Sequence, residues 1–168
     1  MNKRLLKNAR KPSKPLYLNA NLIFSECLNL IQKPWWRSHI KTNGTLNKLL
    51  DKGYSFFCST LTRSEIIQKL KLEKGIQLKD SRFAFKQVLE TYKIYVLANI
   101  SKEIHLTDEF FDTFGKNNLT LGDYFHVRIC KAYNLPICTH DKKLIKYCKH
   151  SEKIKLYNDV YKPEELLK

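Results

Sequence analysis

No stretch of this 168-residue sequence approaches the roughly 20 consecutive apolar residues that a helical membrane span needs. A membrane partner is therefore not expected. The opening residues, Met1 to Pro15, are basic but lack the apolar core of a secretory signal, which leads us to expect a cytoplasmic protein. Paired cysteine chemistry is missing as well. The five cysteines are an odd number without a CxxC pair, so no disulfide framework is expected. They read as reduced, mostly buried, small apolar side chains. Acids are also scarce, 16 Asp and Glu against 31 Lys and Arg, for a formal charge of +15. A chain so charged repels itself unless a polyanion is near, and nucleic acid is the expected partner, held through its phosphates. A surface rich in lysine for reasons unconnected with binding is the plainer account.

What is present fits one globular domain. The apolar share is 43%, and the length suits a single core. Residues 1–15 form a basic arm, with Lys3, Arg4, Lys7, Arg10, Lys11 and Lys14 and no acid, and residues 16–168 form the domain. Short apolar strands are expected at Leu16–Leu18, Tyr54–Cys58, Leu135–Thr139 and, as an edge, Ile154–Tyr157. Between them lie helical spacings at Leu22–Ile31, Leu46–Leu50, Ile66–Leu70, Phe83–Tyr92, Tyr124–Tyr133 and Leu144–Cys148. Another helix is expected over 101–114, with a short strand at Ile100–Leu106 as the alternative for its start; the Ile94–Leu97 stretch leaves a strand open nearby, and Pro163 opens a last helical turn. Thr62 and Glu65 form a T-x-x-E capping pattern at the head of their helix. Strands alternating with helices imply right-handed βαβ units: a three-layer α/β/α fold with a central parallel sheet of four to five strands.

Ligands of such sheets gather beyond the carboxyl ends of the strands. The polar residues expected there are Asn19 and Asn21, Thr62 and Glu65, Thr139 and Asp141, with Asp123 opening the helix before the strand at 135–139. Carboxylates that converge stay ionised only when a cation holds them. An oxygen-only ligand set favours Mg2+ or Mn2+, a metal that supports attack of water on a phosphodiester.

Leu16-Tyr17-Leu18-Asn19-Ala20-Asn21-Leu22-Ile23 resembles the opening motif of the PIN domain family, apolar-apolar-Asp-x-Asn-apolar-apolar. Ser59 to Ile66, with Glu65, is similar to the second motif, Gly122 to Val127, with Asp123, to the third, and Ile137 to Leu144, with Thr139 and Asp141, to the fourth. The likeness covers roughly residues 16–167. It implies a PIN-like fold and a metal-dependent endoribonuclease, of the VapC-like toxin or RNA-processing kind. Glu65, Asp123 and Asp141, with position 19, would be the catalytic metal ligands for Mg2+ or Mn2+, supported by Asn21 and Thr139. RNA would be the substrate, an antitoxin or ribonucleoprotein a partner, and the protein a homodimer. One position departs from the pattern. Asn19 stands where the family carries Asp, which keeps the shape but removes a charge. Loss of activity in nature and deliberate replacement are both open, and a non-catalytic RNA-binding or scaffold domain is the alternative function. A DNA nuclease acting on flaps shares the fold.

Plainer roles exist for each acid: Glu65 as a helix cap, Asp123 as an N-terminal helix charge, Asp141 as an N-cap. Cys138-x-His140 and Cys148-x-His150 have the look of zinc ligands, although both cysteines fall on apolar faces. His126 is read as a core or rim residue rather than a base. For nucleic-acid binding, Trp35 and Trp36 among Arg37 and Lys41 could stack bases, and Lys69, Lys71 and Arg82 could line a groove. Simple packing of a tryptophan and a solvated helix face are the alternatives.

Overall fold

The computed structural model describes residues 14–32, 44–97, 119–150, 157 and 159–168. The centre of the sheet is β1 (Lys14–Leu18), whose apolar residues alternate between two faces. Leu16 and Leu18 enter one core while Tyr17 enters the other. Such a strand, buried on both sides, is stable only between two layers of helices. It is followed by α1 (Ala20–Ile31), α2 (Thr45–Asp51), β2 (Tyr54–Ser59), α3 (Thr60–Lys74), α4 (Leu78–Thr91) and β3 (Tyr95–Leu97). Then come α5 (Leu121–Tyr133), β4 (Ile137–Cys138), α6 (Lys142–Ile145), a π-type turn over Lys146–His150, β5 (Val160–Tyr161) and α7 (Pro163–Leu166).

The five strands are ordered β3-β2-β1-β4-β5 and every pairing is parallel. This is the three-layer α/β/α arrangement with a parallel sheet that the alternation of elements implies. Leu16, Leu18, Phe56, Cys58 and Cys138 face α1 to α4, whereas Tyr17, Phe57 and Ile137 face α5 and α6. The strand order turns back between β1 and β4, so the connections leave in opposite directions there and open a crevice at the carboxyl ends.

Several boundaries differ from those expected. Lys14 and Pro15 belong to β1 rather than to an arm, and residues 1–13 lie outside the described residues. The strand at 135–139 is confined to Ile137–Cys138. The edge strand is Val160–Tyr161, not 154–157. Tyr157 stands outside it and donates its hydroxyl to the Leu135 carbonyl at 2.7 Å. Residues 154–156, the helix expected over 101–114, and Trp35, Trp36, Arg37 and Lys41 all lie outside the described residues. Among the described residues no helix is long and apolar enough to cross a membrane.

The five cysteines are free and buried. Cys138 packs on one face of the sheet and Cys148 on the other, so the two cannot share a zinc ion. Burial pushes the thiols of Cys58, Cys138 and Cys148 up from 9.0 to about 12. Burial likewise raises Cys27 and Cys130. The folded chain therefore keeps protons that the unfolded chain releases above pH of roughly 8.5. Stability should be intact below that pH and decline as it rises toward about 12, where the folded thiols themselves ionise. Urea midpoints measured from pH 7 upward test this, and native protein should resist thiol reagents as long as the buried thiols stay protonated.

Candidate active site at the carboxyl ends of the strands

Asn19 ends β1 and caps α1, its side chain accepting from the Asn21 amide at 3.4 Å. Its own amide donates to the Cys138 carbonyl at 3.0 Å, which locks the end of β1 to β4 at the crevice. Asn21 crosses the same gap: its Nδ2 donates to Thr139 Oγ1 at 3.1 Å, and that oxygen also accepts from the Asp141 amide at 3.0 Å. With its amide nitrogen so engaged, Asn21 turns Oδ1 into a place where the atom is buried and has no hydrogen-bond partner among the described residues. A buried acceptor without a donor costs about 1–3 kcal/mol, and it marks a spot suited to a cation or a donor.

Asp141 is the N-cap of α6, its Oδ1 accepting from the amides of Lys143 and Leu144 at 2.8 and 3.0 Å. Asp123 lies in the first turn of α5 and closes a capping box with Thr120: Asp123 Oδ2 accepts from the Thr120 amide at 2.9 Å and hydroxyl at 2.8 Å. Glu65 differs from expectation. The helix begins at Thr60, capped by Ser59 with Thr62 as the reciprocal partner, so Glu65 sits in the second turn and caps nothing. Two S/T-headed patterns overlap in this stretch, and the end of β2 decides between them.

Glu65 is held instead by His126. His126 Nε2 lies 3.0 Å from Glu65 Oε2, and Nδ1 lies 2.7 Å from the Tyr17 hydroxyl. The Tyr17 oxygen is in turn 2.8 Å from Ser59 Oγ and 3.1 Å from Thr62 Oγ1. Burial holds the Tyr17 phenol well above its ordinary range, so it remains a donor. A carboxylate only accepts, so His126 Nε2 donates to Glu65, while Nδ1 is hydrogen-bonded to the Tyr17 hydroxyl. His126 is 1% exposed. It is thus a core residue, as the sequence suggests, but one whose polar edge reaches the cavity. Tyr17 and His126 were not among the expected site residues. The available signal was a phenol in an otherwise aliphatic central strand, since a buried hydroxyl requires partners.

Gly122 seats the other oxygen. A Cβ there would lie 2.4 Å from Glu65 Oε1, closer than atoms approach, so the carboxylate rests where a side chain would otherwise be. Asn19, Asn21, Glu65, Asp123, His126 and Asp141 all line one cavity of about 580 Å3, together with Lys69. In each of the three carboxylates one oxygen accepts hydrogen bonds, and the other accepts none among the described residues. They do not close into a cage: among the described residues no three His, Cys, Asp or Glu side chains are gathered as a metal-holding group. Thr139 is fully buried behind the wall, linking Asn21 to Asp141 rather than facing the cavity. Lys71 and Arg82 lie in a neighbouring groove. His140, proposed beside Cys138 as a zinc ligand, is exposed and stands 3.9 Å from Glu164.

Seven chains of solved structures match this fold. Among them is the crystal structure of PAE2754 from Pyrobaculum aerophilum, with a TM-score of 0.55 and 15% identity over 92% of this chain and 93% of that one. At that identity the likeness is one of fold. No protein-family model matches the sequence, and no curated protein matches it.

Two tests probe the geometry. His126→Phe and Glu65→Gln, combined in a double-mutant cycle on urea unfolding, should be non-additive by about 0.5–3 kcal/mol because the two groups share a partly buried bond. Strict additivity would show that they do not interact. Gly122→Ala should expel the Glu65 carboxylate and shift the His126 ring resonances. The urea midpoint should move little, since a gain of up to about 1 kcal/mol in helix propensity opposes the lost bond.

Proposed function

We propose that the chain is a PIN-like, metal-dependent endoribonuclease whose activity is reduced by asparagine at position 19. The observation that carries this reading is a set of five oxygen-bearing side chains lining one cavity at the turning point of the sheet, Asn19, Asn21, Glu65, Asp123 and Asp141, beside His126, whose Nε2 is engaged by Glu65. The rest of the chain is strongly basic, so a local excess of carboxylates needs an explanation that helix capping supplies only in part. Oxygen donors suit Mg2+ or Mn2+, the imidazole of His126 on the same wall being committed to Glu65, and the orphaned Oδ1 of Asn21 fits a cation as its missing partner.

Glu65, Asp123 and Asp141 would hold the ion through the oxygens left free of hydrogen bonds, with Asn19 and Asn21 offering amide oxygens. When bound, such an ion polarises a phosphodiester and activates water to attack it. His126 fixes the Glu65 rotamer by donating to its second oxygen, as outer groups do around metal ligands. The Thr120 amide and hydroxyl do the same for Asp123, and the α6 amides for Asp141. Lys69, on the cavity wall, is placed to meet a phosphate. A cytoplasmic location, a homodimer and an antitoxin or ribonucleoprotein partner belong to the same reading.

A second reading, an RNA-binding or scaffold domain without catalysis, is favoured by Asn19 itself. Its amide oxygen is used to cap α1, a role that needs no charge. Asn19→Asp separates the two readings. Aspartate caps as well as asparagine, so the fold should tolerate it. On the nuclease reading it should raise Mn2+-dependent cleavage of labelled RNA at least ~10-fold, and enlarge the rise in melting temperature that Mn2+ produces. Adding Glu65→Gln, Asp123→Asn or Asp141→Asn should abolish both effects. If Asn19→Asp gains neither cleavage nor metal-linked stability while RNA binding persists, the binding reading stands instead.

A further inference from the structure

The helix α3 presents three distinct faces. Thr62, Ile66 and Leu70 are buried beneath it. Glu65, Gln68, Lys69, Leu72 and Glu73 line the acidic cavity. The remaining face, Thr60, Arg63, Ser64, Ile67 and Lys71 at helical spacing, meets Arg82 of α4 in a second groove of about 530 Å3. Gln68 and Leu72 line both hollows and form the ridge between them. The groove contains Arg63, Lys71 and Arg82 and no acid. None of these cations takes part in an ion pair among the described residues. Leu72, on the ridge, is 68% exposed, the highest value among the exposed large apolar side chains.

We propose that this groove is the binding track for single-stranded RNA leaving the acidic cavity, a site that rests on the nuclease reading above. Arg63, Lys71 and Arg82 neutralise successive phosphates, and Leu72 carries a ribose or an unstacked base over the ridge. Charge is arranged to suit such a strand. The cavity is acidic and repels phosphates unless it holds a cation, while the groove beside it attracts them without one. An exposed leucine is ordinary by itself; its place here, on the ridge between the acidic cavity and the cations, is what suits a base or ribose passing from one to the other. A duplex keeps its bases stacked inside and has nothing to offer Leu72, whereas a single strand presents base faces to apolar side chains. The groove extends the basic residues Lys71 and Arg82 by Arg63, from the first turn of α3, and fixes their direction relative to the acids.

The experiment is the salt dependence of binding of a fluorescein-labelled oligouridylate to the full chain, followed by anisotropy. Each phosphate contact on a single strand contributes about 0.7 to the slope of log affinity against log salt. The triple variant Arg63→Gln/Lys71→Gln/Arg82→Gln should therefore lower the slope by about 2. All three side chains are exposed, and an unchanged melting curve confirms that the fold is kept. The control, Lys48→Gln/Lys93→Gln/Lys131→Gln, removes the same charge from positions that precede β2, β3 and β4, near the amino ends of the strands. It should leave the slope within about 0.5 of the unmodified chain. Leu72→Gln should weaken the single strand several-fold and leave the affinity of a duplex of the same length unchanged. Equal loss of slope in both triple variants, or no loss in the groove variant, overturns the track while leaving the nuclease reading intact. A parent chain that fails to bind the oligouridylate at low salt overturns both. A chain that loses Mn2+-linked stabilisation on Glu65→Gln but keeps its slope in the groove variant overturns the track alone.

Discussion

The parallel pairing of β1 with β4 governs nearly everything else in this molecule. Tyr17 and Asn19 donate their amides to the carbonyls of Pro136 and Cys138 at 2.8 and 3.0 Å, so two strands more than a hundred residues apart end side by side. From that junction the chain departs in opposite directions, into α1 on one face and toward α6 on the other. The gap between those departures cannot be filled by either helix. Asn19, Asn21, Thr139 and Asp141 surround it, and their side chains close it with polar bonds instead of apolar packing. A shift of register by one residue would turn Tyr17 to the opposite core and remove the hydroxyl that steadies His126.

The electrostatic consequence is a chain with two opposed surfaces. Lysine and arginine outnumber acids in the sequence, yet Glu65, Glu73, Asp123 and Asp141 share one hollow with one lysine among the described residues, Lys69. Asp123 and Asp141 are restrained by donors at the heads of their own helices and Glu65 by His126 of α5, and restraint through one oxygen leaves the other directed elsewhere. Side chains held in this way have already lost much of their rotamer entropy on folding. A ligand that fits them meets a smaller ordering cost than it would among loose surface acids.

Much of this was legible in the sequence, because it rests on local patterns. Alternating apolar strands and helical spacings point to the layers, and Asp123 marks the head of α5, whose other end is closed by Asn134 in the left-handed conformation that asparagine tolerates. Local patterns failed where long-range contact decides. Ser59 and Thr62 each head an acceptable capping sequence, and only the length of β2 selects the first. Val160–Tyr161 is too short to show a period, whereas the alternation at 154–157 imitates one. His126 lies among apolar neighbours in the helix, and nothing near it in the chain announces Tyr17, 109 residues away, or Glu65, 61 away. Tryptophans and cations between 33 and 43 carry a sequence signal that the described residues do not reach.

Gly122 has a consequence for how the cavity can vary. Around its wall each polar side chain contributes particular bonds, so its replacement is felt through those bonds. Position 122 contributes an emptiness. Any side chain, whatever its polarity, fills the same volume against Glu65 Oε1, so the outcome of substitution is set by shape and is nearly blind to chemistry. A Cβ at position 122 meets the far end of the Glu65 side chain, which must turn away, so the change falls on the shape of the cavity rather than on the fold, at a residue with no functional group.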